Sequence, residues 1–198
     1  MEKFDGLDHQ QRREIVKEKI ADWIAKEAGG QITIFAPSKE NTADLLVKKR
    51  GKYEEEQKSP RKKAGERISQ IIKKEILKKI EKEAGLYLKV VDCDKLADKF
   101  VKQLSKEDFE VKDDFYLIFT YFNPVKQDIN DYLWLLPSRE FENLAEPGFK
   151  FEAPIDFEEI SQYTDFLVNK KQLAVFLLRI LESETFACPQ KILEKVLI

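Results

Sequence analysis

The stretch that most constrains the fold is Phe115–Phe122, FYLIFTYF. Side chains alternate across a strand, and this run is apolar on nearly every position, so neither face can meet water. It predicts a central strand covered on both sides, and hence a layered α/β body rather than an open sheet or a helical bundle. Asn123-Pro124 breaks it, and Tyr132–Leu136, YLWLL, predicts the next strand, stopped by Pro137. With 42% apolar residues in 198, the chain can bury such a sheet as a single domain.

The other elements follow from periodicity. Val16, Ile20, Trp23 and Ile24 recur at helical spacing within Gln10–Ala28; Asp8 is placed to cap the start, and Gly29-Gly30 to stop the end. Gln31–Ala36 and Ala43–Lys49 predict two strands joined by the turn-rich Pro37–Thr42. Residues 51–62 form a charged linker, and 63–84 a lysine-rich helix with Ile68, Ile71, Ile72, Ile76, Leu77 and Ile80 on one stripe. Leu86–Val91 predicts a strand with Tyr87, Lys89 and Val91 on one face and Leu86, Leu88 and Val90 on the other. Leu96, Phe100, Val101 and Leu104 predict a helix over 94–104, capped by Asp94, followed by an acidic loop over 105–114. Ser138 is expected to cap a short helix, REFENLA. FKFEAPI predicts an edge strand confined by Pro154, Lys170–Glu182 an apolar helix, and 189–198 a terminal helical turn or two. The sum is a mixed central sheet of about five strands flanked by helices, in one domain spanning 1–198, with a basic helical insertion at 52–85 and a strand/helix extension at 149–198.

Composition narrows the chemistry. A single histidine, His9, and two distant cysteines, Cys93 and Cys188, argue against Cys/His zinc sites and histidine triads. Any metal must be held by oxygen, which points to Mg²⁺ or Mn²⁺. No run approaches a membrane-spanning length, and no apolar stretch follows a positive one at the N-terminus, so a reduced, cytoplasmic protein is expected. The net charge of −2 conceals two blocks: residues 48–82 hold 14 Lys/Arg against 6 Asp/Glu, and residues 105–165 hold 5 against 15. The basic block suits a polyanion, and equally a solvated helix face or the acidic half of the same or a second chain. The aromatic strands read as core, since a stacking surface for bases needs Lys or Arg between its rings and the sequence neighbours here are acidic. Asp44, at the head of LLV, is either a turn residue or a carboxylate at the mouth of the sheet.

The order α-β-β-β-α-β resembles the restriction-endonuclease-like core of the PD-(D/E)XK nuclease superfamily. EKIADWIAKEAGGQITIFAP is similar to its first helix and strand, TADLLVKKRG to the second strand opening on a metal-binding aspartate, and LYLKVV to the third, which carries (D/E)-X-K. The likeness covers residues 10–145. It implies a DNA-processing protein, either a Mg²⁺- or Mn²⁺-dependent endonuclease or an inactive relative that binds nucleic acid or protein. Asp44 matches the metal-binding aspartate, Lys89 the motif lysine and Glu18 the first-helix acid. Tyr87 stands where the second carboxylate belongs, and Asp92 and Asp94, just past Lys89, are the substitute ligands, with helix capping as their plainer role. Lys62, Lys63, Arg67, Lys73, Lys74 and Lys78 of the basic helix would track a DNA backbone, with a second copy of the chain as a further candidate partner. A divalent ion held by two carboxylates would neutralise charge building on the phosphoryl oxygens and acidify the attacking water, and a lysine beside it would position that water. Against these roles stand plainer ones: solvation for Glu18, protection of a sheet edge for Lys89, and chance for the triplets Glu56-Gln57-Lys58 and Glu110-Val111-Lys112.

Overall fold

The computed structural model describes residues 8–38, 41–50, 85–145 and 148–182. The linker at 51–62, the basic helix at 63–84 with its six nucleic-acid-binding candidates, and the terminal turns at 189–198 lie outside the described residues.

A six-stranded mixed sheet forms the middle layer, in the order β1 (Ile32–Phe35), β2 (Leu45–Lys49), β3 (Leu86–Asp92), β6 (Phe115–Thr120), β9 (Tyr132–Pro137) and β11 (Leu167–Asn169). Neighbours are antiparallel except β3 and β6, which run parallel, with Lys89 facing Leu117. Every residue of β6 is buried, as its unbroken apolar run requires. Within this six-stranded sheet, the strand absent from the sequence reading is β11: three residues give too little alternation to register, and pairing with β9 defines it.

One face of the sheet is covered by α1 (His9–Glu27) and α3 (Leu173–Glu182). Val16, Ile20 and Ile24 of α1 join Leu88, Val90, Tyr116, Ile118, Leu133 and Leu135 in one core. Asp8 caps α1 through a reciprocal box with Gln11, and Gly29 and Gly30 end it at φ +56° and +81°, where a Cβ is disfavoured. No described helix is long and apolar enough to cross a membrane.

The opposite face is covered by a second sheet, β10 (Lys150–Pro154), β5 (Lys99–Gln103) and β4 (Asp94–Leu96), and by α2 (Ser138–Leu144). The helix expected at 94–104 is instead the β4–β5 hairpin, turning at Ala97 with φ 52°. A helix would have buried Leu96, which is 67% exposed here, while Phe100 is buried among aromatic rings. Packing on the main sheet overrides local propensity, because pairing with β10 lays Phe100 and Phe151 over Phe119 and Trp134. Asp94 therefore opens a strand and caps no helix. Ser138 caps nothing either; its buried hydroxyl accepts from Lys112 N–H and donates to Lys112 C=O, tying α2 to the acidic loop. β10 is an edge strand, as Pro154 requires, of this second sheet. A two-stranded hairpin, β7 (Phe122–Asn123) with β8 (Asp128–Ile129), links β6 to β9.

Candidate functional site

Asp44 and Lys89 meet where β2 begins. Leu45 faces Leu88 in the antiparallel register, so one step further sets Asp44 beside Lys89. There β2 leaves the sheet while β3 runs on to Asp92, and the strand margin needs new partners. Asp44 supplies them: its N–H donates to Leu88 C=O at 2.8 Å, and its Oδ2 accepts from Val90 N–H at 2.9 Å. Its Oδ1 accepts from the Arg13 guanidinium at 2.9 Å, reaching down from α1.

Lys89 is buried on the aromatic face of a central strand, so it guards no sheet edge. Its Nζ lies 4.0 Å from Asp44 Oδ2 and donates to Thr42 C=O at 2.7 Å. Burial holds the amine below the ordinary lysine range; Asp44 pulls the other way, and Arg13 adds to the lowering. Asp108, itself accepting from Ser105 N–H and Oγ, contributes negative charge nearby, and Lys17, ion-paired with Glu14, contributes positive charge.

The other expected site residues are not brought to this pair. Glu18 is exposed on α1, about 200° around the helix from the buried Val16, and lines a shallow groove with Asp8, Gln11 and Glu14. Asp92 belongs to Arg12, which contacts both its oxygens, and to Phe122 N–H, which donates to Oδ1 at 3.0 Å. Burial pushes its carboxyl above the ordinary range despite those partners. It lies two residues past Val90, about 7 Å along the strand. Tyr87 is half-buried against the aromatic core, two places before Lys89 on the same face. Arg12 and Arg13, adjacent on α1, thus divide the two aspartates between them. Sequence reading missed both arginines; the signal was a basic pair one turn after a helix cap, ambiguous until the helix is docked.

Mg²⁺ asks for several oxygens free to coordinate it, usually two carboxylates with waters. Asp44 offers one carboxylate, already held by a guanidinium, a backbone amide and an ammonium. The orphaned buried oxygen next to it among the described residues is a hydroxyl, Thr42 Oγ1, a weak ligand for a hard cation. Among the described residues no three Asp, Glu, His or Cys side chains gather as a metal group. The donor set in this arrangement does not fit the metal.

No family model, no curated protein and no solved structure matches this chain.

Proposed function

We propose that this chain is a DNA-binding protein built on a PD-(D/E)XK-like core, in which the cleavage site has become a structural lock. The reading rests on one observation: both Asp44 oxygens are occupied, by Arg13 on one side and by Val90 N–H with Lys89 on the other. An acid kept for catalysis is left open to its metal; this one completes a strand margin. The nuclease-like ancestry is supported by the order α1-β1-β2-β3 with β6 returning parallel to β3, and by an aspartate at the head of β2 beside a lysine on β3. The expected helix between β3 and β6 is replaced by the β4–β5 hairpin. Arg13, with nearly half its side chain exposed, and the basic 48–82 block would meet phosphates without reading bases.

The experiment is DNA binding and cleavage measured side by side. Expected are binding that weakens steeply with salt, that is unchanged by EDTA, and that leaves DNA intact with Mg²⁺ or Mn²⁺. The second reading, a metal-dependent endonuclease, draws on the 4.0 Å approach of Lys89 to Asp44. Cleavage by the wild type and none by Asp44→Ala would establish that reading and overturn the structural lock. Absence of DNA binding at low salt would overturn both.

A further inference from the structure

Around the N-terminal end of α1 from the Asp44–Lys89 pair, a pocket of about 370 Å³ opens between β9, the β6–β7 junction and the chain after β10. Its walls are aromatic. Tyr132 and Phe157 have ring centroids 5.0 Å apart, and Tyr121 lies 5.3 Å from Phe100, which Phe157 also approaches. Tyr132 is 40% exposed, a large ring left in water at the mouth of a site. Tyr121 is held from behind: the Arg12 guanidinium sits 5.4 Å from its ring centroid and is itself fixed by Asp92 and by Cys93 C=O at 3.1 Å. Asp92 thus orders a ring of this pocket.

The polar groups around these rings are of a particular kind. Asp131, the pocket's acid, is ion-paired with Lys170 at 3.1 Å, and Lys170 also holds Asp128 at 2.9 Å. Lys95 and Lys126 line the same pocket and have no acidic partner among the described residues. The Asn130 side chain, half-buried there, makes no hydrogen bond among the described residues. Lys126 also borders a second groove, lined by Lys19, Lys26 and Trp23 with Asp22 and Asp128, in which Lys19 pairs with Asp128 at 3.5 Å and Lys26 lies 5.2 Å over the Trp23 ring. The sequence set acidic neighbours beside these rings; the fold brings in lysines from β4 and the β7–β8 turn.

We infer that this pocket takes an unstacked nucleobase, with its phosphate on Lys95 or Lys126 and the neighbouring groove receiving the next phosphate of a single strand. Flat rings supply a stacking face that tolerates any base, and an unpaired amide matches the hydrogen-bonding edge of one. Unpaired lysines beside aromatic walls ask for a ligand both aromatic and anionic, and the volume lies at the small end of ligand sites, on the scale of one nucleotide. Duplex DNA keeps its bases stacked inside and cannot fill it. The inference goes beyond the duplex-compatible backbone binding proposed above and rests on different residues.

The test is fluorescence anisotropy of labelled oligothymidylate and of a labelled duplex, in EDTA, with wild type, Tyr132→Ala, Tyr132→Phe and Lys126→Glu. The expected result is single-strand binding at least about tenfold tighter than duplex binding. Tyr132→Ala should weaken it about tenfold with the melting temperature little changed, Tyr132→Phe should retain it, and Lys126→Glu should weaken it and flatten its salt dependence. Displacement of the oligomer by equimolar thymidine monophosphate identifies a free nucleotide as the occupant and supports the pocket. Duplex binding equal to single-strand binding, with Tyr132→Ala indistinguishable from wild type, overturns the pocket and leaves the DNA-binding reading standing. Nucleotide binding that Tyr132→Ala removes, without affinity for any DNA, does the reverse.

Discussion

Replacing Asp44 with alanine separates a structural lock from a metal site by stability alone. In the lock, the substitution strands the Val90 amide at the margin of β3, at a cost of about 2 kcal/mol for an unpaired buried donor. It also removes the Arg13 contact, worth about 0.5 kcal/mol because that side chain is nearly half exposed. Lys89 keeps Thr42 C=O but loses the charge 4.0 Å away, costing roughly 1 kcal/mol more. The whole loss is therefore about 3.5 kcal/mol, read as a urea midpoint lowered by about 1.7 M or a melting temperature lowered by roughly 7–14 °C. Lys89→Met, which removes the stranded ammonium, should return about 1 kcal/mol of that loss in the double variant. An aspartate held open for a metal behaves oppositely, since removing a functional carboxylate commonly leaves stability unchanged or raised. Asp44→Ala as stable as wild type in EDTA, or a double variant showing no coupling to Lys89, would refute the lock.

Three further outcomes follow from the packing and the caps. Phe151→Ala, removing a buried ring stacked 4.1 Å from Phe119 at 8°, should cost about 3–5 kcal/mol in urea unfolding. Asp8→Ala, which opens the capping box of α1, should cost about 1 kcal/mol in the same assay and leave the far-UV spectrum nearly unchanged. The Ser105 N–H, the largest influence on Asp108, holds that carboxyl below the ordinary aspartate range, against the opposing effect of burial. The unfolded chain therefore takes up this proton first as pH falls, so the stabilisation is present above about pH 4 and fades below it. Asp108→Asn should flatten that part of the acid unfolding profile.

The elements legible in sequence were those whose signal is carried by one segment. β6 is apolar at consecutive positions and needs cover on both faces whatever surrounds it, and α1 carries its stripe, its cap and its glycine stop within one stretch. The faces of β3 were likewise readable, because alternation alone places Tyr87, Lys89 and Val91 together. The 94–104 segment misled because its apolar residues satisfy a helical spacing as well as a hairpin; the partner that decides between them, β10, lies some fifty residues downstream. β11 is too short to be seen without β9.

The same division runs through the site. That Asp44 heads one strand and Lys89 sits within another is written in the local pattern, and so is the lack of a carboxylate at Tyr87. Whether the acid is open or engaged depends on Arg13, thirty-one residues away on a helix whose docking is fixed by Val16, Ile20 and Ile24 burying against the sheet. Lys95 and Lys126 reach the aromatic pocket for a like reason, by way of turns that no local periodicity encodes. Sequence alone determined which segments must be buried, because burial of apolar side chains is a property each segment carries with it. Tertiary structure alone decided which charges are neutralised, because electrostatic partners are chosen by distance in space, and that distance exists only once the layers have closed.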